Sequence, residues 1–199
     1  MKLEEKLMDS LQKELSLSTE QLEVVRFGYR LFVYSIWGYL FIILFAYLFN
    51  TLQATLTAAI TASLFRIFSG GAHASTQKRC VAVGAMIFNI LGFIANIYYD
   101  NLSIAKLKQF SWIVAGIALI SFIIYAPADT PGKPITSKVQ KGKLKSISIF
   151  LVVVWFILFN FVIKGETNIY RQYLFATSLG LAWQSVSLWP FTYDLIIFK

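Results

Sequence analysis

The sequence predicts an all-α integral membrane protein, with six transmembrane helices behind an N-terminal amphipathic helix. Three observations carry that expectation. The 199 residues are 57% hydrophobic and only 14% charged, with a mean hydropathy of +0.65, a balance that asks for a bilayer as solvent. Apolar runs approaching the roughly 20 residues a helix needs to cross a bilayer recur along the chain between short polar breaks. The basic residues gather in those breaks instead of along one polar face, so the net charge of +8 reads as membrane topology and excludes nucleic acid as a partner. Six spans use up most of the length, so residues 1–199 form a single membrane domain.

Residues 1–28 hold six acids and no unbroken apolar core, which argues against a cleaved signal peptide. Leu3, Leu7, Leu11 and Leu15 recur every four residues among charged ones, predicting an amphipathic helix on the lipid interface or on a neighbouring element. Ser18 with Gln21 three positions on is a capping-box pattern, starting a second helix that runs through Arg26 and Arg30 into the first span. The spans are expected at about 29–49, 51–68, 80–99, 110–126, 147–163 and 173–189. Only Asn50 separates the first two, which must form an antiparallel hairpin. The second span is rich in Thr and Ala, as in helices that pack closely inside a bundle. Asn89, Asn96 and Asn160 lie inside spans, where such residues join helices by hydrogen bonds.

Fourteen Lys and Arg residues fall on one side of this layout and four, Lys106, Lys108, Lys164 and Arg171, on the other. The excess marks the cytoplasmic side, which then holds both termini and the break between spans two and three. Five lysines between Lys133 and Lys145, with no acid among them, form a polybasic loop on that side; it fixes topology and touches anionic lipid, or captures an acidic ligand.

The only histidine and the only cysteine stand seven positions apart in Gly70-Gly71-Ala72-His73-Ala74-Ser75-Thr76-Gln77-Lys78-Arg79-Cys80. A thiol is a strong nucleophile only as thiolate, and His73, Lys78, Arg79 and the first turn of a helix at Cys80 all favour that form. On one continuous helix the pair would share a face but stand about 10 Å apart along the axis, too far for proton transfer. The spacing therefore predicts a helix end near Phe68, a loop through about Gln77 and a new helix from about Lys78, letting His73 fold back as general base. One Cys and one His do not make a zinc site, and the sequence asks for no metal or other cofactor. The plain alternative is an apolar filler cysteine and a solvated histidine.

The run Phe65-Arg66-Ile67-Phe68-Ser69-Gly70-Gly71-Ala72-His73-Ala74-Ser75 followed by Cys80, then Tyr125-Ala126-Pro127-Ala128-Asp129-Thr130-Pro131-Gly132-Lys133-Pro134, resembles the accessory gene regulator protein B (AgrB) family of membrane cysteine endopeptidases. The resemblance extends over the whole chain in length and span layout. It implies a bacterial cell-membrane enzyme of quorum sensing that removes the C-terminal tail of an AgrD-like precursor peptide and closes the remainder into a thiolactone or lactone. It implies Cys80 as nucleophile, His73 as general base, and a homodimer. Asp129 is the candidate to orient the imidazole, or simply shapes a Pro-rich turn. Ser75, Thr76, Gln77 or backbone amides near Cys80 are candidate oxyanion donors. Arg66, Lys141, Lys143 and Lys145 are candidate precursor-binding cations, Arg66 alternatively snorkelling to the interface. Two rival readings remain at this level: a small transporter, and a non-catalytic scaffold dimerising through the second span with Gly84 and Gly92.

Overall fold

A computed structural model describes residues 2–72, 74, 76–128, 135, 137–162 and 167–196, and the described residues form helices without strands. Helix α1 (Lys2–Leu15) leads into α2 (Thr19–Leu48), α3 (Leu52–Ser69), α4 (Gln77–Tyr98), α5 (Ile104–Tyr125), α6 (Lys138–Ile157), α7 (Asn168–Val186) and α8 (Pro190–Ile196); a π-helical stretch, Leu158–Val162, continues α6. Four of them, α2, α4, α5 and α6 with its extension, are long and apolar enough to cross a membrane. Helices α3 and α7 occupy the second and sixth predicted spans but are less apolar, and they pack most closely on each other.

The helix ends are written locally. The capping box at α2 is present: Gln21 N donates to Ser18 Oγ at 3.2 Å and Ser18 N to Gln21 Oε1 at 3.0 Å. Asn50 turns the chain between α2 and α3 with φ +56°, a conformation asparagine tolerates better than most residues. Ser103 caps α5 and Thr167 caps α7, so both helices start about five residues before the apolar runs they carry.

One expectation is corrected. The stretch from Lys138 to Lys145 is not a loop; Ser137 accepts from Gln140 N, and the lysines, good helix formers, make the first two turns of α6. On α1 Met8 is fully buried while Leu7 and Leu15 are exposed, and Glu4 accepts from Arg30 Nε at 2.6 Å. The small residues of the second span face the inside of the bundle, as the sequence predicts. A Cβ on Gly92 would lie 1.9 Å from Thr55 Oγ1 and one on Gly180 2.4 Å from Ala58 O, so α4 and α7 press against α3 from within the bundle.

Most polar groups inside are paired, the exceptions among the described residues being Asn89 Oδ1, Trp155 Nε1 and Arg171 Nε. Gln172 Nε2 donates to Asn96 Oδ1 at 2.8 Å, joining α7 to α4, and Asn160 Oδ1 accepts from Ser111 Oγ and Trp112 Nε1, both at 3.0 Å, joining the π-helical stretch to α5. Asn89 donates to Ala85 O on its own helix. At one end of the bundle Arg171 donates to the backbone of Asp100 and Leu102, tying the α4–α5 turn to α7. At the other end, Phe65 and Phe122, with ring centroids 5.8 Å apart, make the apolar floor beneath the turn after α3.

Candidate active site

The turn after α3 is held on three sides. Gly70 has φ +68° and ψ −149°, a backbone that only glycine adopts without strain, and a Cβ there would lie 2.2 Å from Ala128 O. Ala128 N donates to Ser69 O at 2.8 Å, so the segment leaving α5 runs beside the turn. From α7, Gln184 Nε2 donates to Ser69 Oγ at 3.0 Å and to Gly70 O at 2.7 Å, and Ser187 O accepts from Ala72 N at 2.9 Å. Helix α3 thus ends at Ser69 and α4 begins at Gln77, within two residues of the predicted break.

Thr76 caps α4 by accepting from Arg79 N at 3.2 Å, and its own O–H remains able to donate. Cys80 N closes the first helical hydrogen bond, to Thr76 O at 3.0 Å, so the thiol sits on the positive N-terminal turn of α4. Cys80 is half-buried and lines a cavity of about 560 Å³ between α2, α3, α4 and α7. Arg66, Ala72, Ala74, Gln77 and Gln184 line the same cavity, and Leu31, Ile42 and Phe88 supply apolar wall. The Arg66 guanidinium donates to Ala72 O and lies within electrostatic reach of Cys80. From α8, Tyr193 approaches the same guanidinium; burial pushes its phenol above the ordinary tyrosine value, against the opposing pull of Arg66.

Of the residues singled out in the sequence, Arg66, Gln77 and Cys80 are brought to one cavity. His73, Ser75 and Asp129 lie outside the described residues. Lys141, Lys143 and Lys145 are on the first turns of α6 and do not line the cavity. Lysines 141 and 145 share a helix face, with Lys143 on the opposite one. Lys78 and Arg79, which flank the thiol in sequence, are exposed on the first turn of α4. Among the described residues no group of His, Cys, Asp and Glu gathers as a metal site. Sequence reasoning missed Gln184 and Ser187. The available signal was a lone glutamine in an otherwise apolar and small-residue stretch of the last span.

A family model described as accessory gene regulator B matches residues 4–188. The chain belongs to the AgrB family. An AgrB-like protein of Clostridium perfringens strain SM101 is 25% identical over 194 residues, covering 92% of this chain and 87% of that protein. The accessory gene regulator protein B of Staphylococcus aureus strain MW2 is 29% identical over 184 residues, with 92% and 91% covered. That of Staphylococcus intermedius is 36% identical over 89 residues, 44% of each chain. No solved structure matches the chain. The matched region of this AgrB family member contains the whole Cys80 cavity, from α2 through Ser187.

Proposed function

We propose that this AgrB family member is a membrane cysteine endopeptidase that cleaves the C-terminal tail of an AgrD-like precursor peptide and closes the remainder into a thiolactone or lactone for quorum sensing. The observation that carries this reading is the shared cavity. A nucleophile on a helix N-terminus, a fixed cation and the two residues that flank His73 all border one space about large enough for a few peptide residues.

In the mechanism His73 takes the proton of Cys80, and the sulfur attacks the scissile carbonyl. The S–C bond forms, the C–N bond breaks, and His73 returns the proton to the departing amine, releasing the tail. A side-chain thiol or hydroxyl of the precursor then attacks the thioester, loses its proton to His73, closes the ring and frees Cys80. The tethered nucleophile wins over water through effective molarity and through the apolar wall of the cavity. Arg66 and the amide of Gln77 stabilise the oxyanion or the peptide backbone, Ser75 is a further donor, and Asp129 orients the imidazole. Lys141 and Lys145 attract an acidic tail from the helical start of α6. All six long helices cross the cell membrane, with both termini and the cavity mouth on the cytoplasmic side, and two copies assemble as a homodimer.

The test is incubation of the full chain in lipid nanodiscs with a synthetic precursor, followed by intact-mass analysis. Wild type is expected to form an acyl adduct on Cys80, and Cys80→Ala and His73→Ala to lose tail release by at least about 100-fold. Full processing by either variant rejects the peptidase reading. Reversing Lys141 and Lys145 to Glu is expected to slow release about tenfold without changing adduct identity.

A further inference from the structure

Helix α7 contributes one side chain to the cavity that a membrane-buried helix has reason to avoid. Gln184 is only 1% exposed, and a buried primary amide is costly unless its hydrogen bonds are made. Its Nε2 makes them to consecutive residues of the turn, Ser69 Oγ and Gly70 O. The next residue, Gly71, has φ +143°, and a Cβ there would lie 3.4 Å from Gln184 Nε2 and 2.8 Å from Ser187 Oγ. The residue after that, Ala72, donates its N–H to Ser187 O and receives the Arg66 guanidinium on its carbonyl. Four successive residues are therefore set against the end of α7, and the fifth is His73.

We infer that Gln184 is a positioning residue for the Cys80–His73 pair. Its amide fixes the backbone from which His73 departs, in register with the Arg66 side chain that faces Cys80. This rests on the reading of Cys80 and His73 as nucleophile and base. Leucine has nearly the same volume as glutamine but neither N–H, so Gln184→Leu removes the two bonds and keeps the packing. Ser69→Ala removes one acceptor and leaves Gly70 O in place.

The experiment is alkylation of Cys80 by iodoacetamide near pH 7 in the full chain in nanodiscs, a readout that needs no peptide substrate. Wild type, His73→Ala, Gln184→Leu and the double variant form a cycle. We expect His73→Ala to slow alkylation about tenfold in wild type, Gln184→Leu to slow it by a similar factor, and the two together to lose less than about twofold more. A residue that only supports the fold lowers the yield of folded protein without absorbing the histidine's effect. A full tenfold effect of His73→Ala surviving in Gln184→Leu overturns the positioning role and leaves the base assignment intact. No effect of His73→Ala in wild type overturns the base assignment, and the positioning role with it. Should Gln184→Leu not fold, Ser69→Ala decides by the same cycle: a loss of about twofold to threefold that shrinks the histidine's effect supports the role, and an unchanged histidine effect overturns it.

Discussion

Helix α7 buries eleven of its 19 residues, on every side, whereas α2 buries three of its 30. The composition runs the opposite way. The enclosed helices, α7 and its neighbour α3, are the polar ones, with Thr55, Thr61, Gln172, Thr177, Ser178 and Gln184 all buried. The outer helix α2 turns Phe32, Trp37, Leu40, Leu44 and Leu48 away from the protein. In a soluble protein this would be inside out. Where the surroundings are as apolar as leucine, burying leucine gains nothing; helices then associate through close backbone approach and internal hydrogen bonds, which small and hydroxylated residues supply. The hydroxyls cost little because they fold back on their own helices: Thr57 onto Gln53 O, Ser178 onto Leu174 O and Ser185 onto Leu181 O. The candidate site lies where the ends of the two inner helices meet the start of α4, so its backbone is hydrogen-bonded to the most deeply buried helix of the bundle.

The largest expected effect comes from adding bulk to the inner pair. Gly180→Val puts a branched side chain where a Cβ already lies 2.4 Å from the Ala58 carbonyl oxygen, and backbone on both sides leaves no rotamer to escape into. A loss above about 4 kcal/mol is expected, enough to abolish folding. The control is Gly116→Val on α5, where nothing lies within 4 Å of the added Cβ; a change within about 0.5 kcal/mol is expected there. The yield of folded protein after detergent extraction, with thermal unfolding followed by tryptophan fluorescence for whatever folds, compares the two. Equal effects would remove the distinction between inner and outer helices.

Much of this arrangement was legible in the sequence. The capping box at Ser18, the turn at Asn50 and the break after α3 depend on local backbone chemistry, and each appears within two residues of its predicted place. The small residues of α3 correctly announced an interior helix. What could not be read is which apolar surface meets protein and which meets lipid, since both look alike in composition. Hence Met8, which the leucine pattern does not single out, is the buried residue of α1, and Gly92, legible as a contact point, packs against Thr55 of the same chain. In the site, Cys80 and Arg66 announced themselves by type and spacing. Gln184 did not, because its role depends on a bond across 114 positions of sequence to Gly70.

A second, smaller effect tests the outer helices by charge instead of size. Ile113 is in the middle of α5 and 62% exposed. Ile113→Arg is expected to cost about 2.5–3.5 kcal/mol of apparent insertion free energy, measured as the inserted fraction in microsomes, while Ile113→Phe stays within about 0.5 kcal/mol. Inner positions reverse this order, rejecting volume and accepting hydroxyls. An arginine tolerated at 113 as well as a phenylalanine would mean that this face of α5 does not meet lipid.

The smallest effect concerns a single bond between the two classes of helix. Gln172 of α7 donates to Asn96 of α4 at 2.8 Å. Gln172→Leu leaves the Asn96 carbonyl without its donor and should destabilise the bundle by about 1 kcal/mol, near the upper part of the range for such bonds inside membranes. The double variant with Asn96→Leu removes both polar groups together, so most of that loss should return, because the penalty lies in the orphaned acceptor more than in the missing bond. A coupling of about 0.6 kcal/mol or more in the unfolding cycle identifies the pair as a link that holds inner to outer. Additive losses would instead mean that α4 is held to the inner pair by packing alone, through the contact of Gly92 with Thr55.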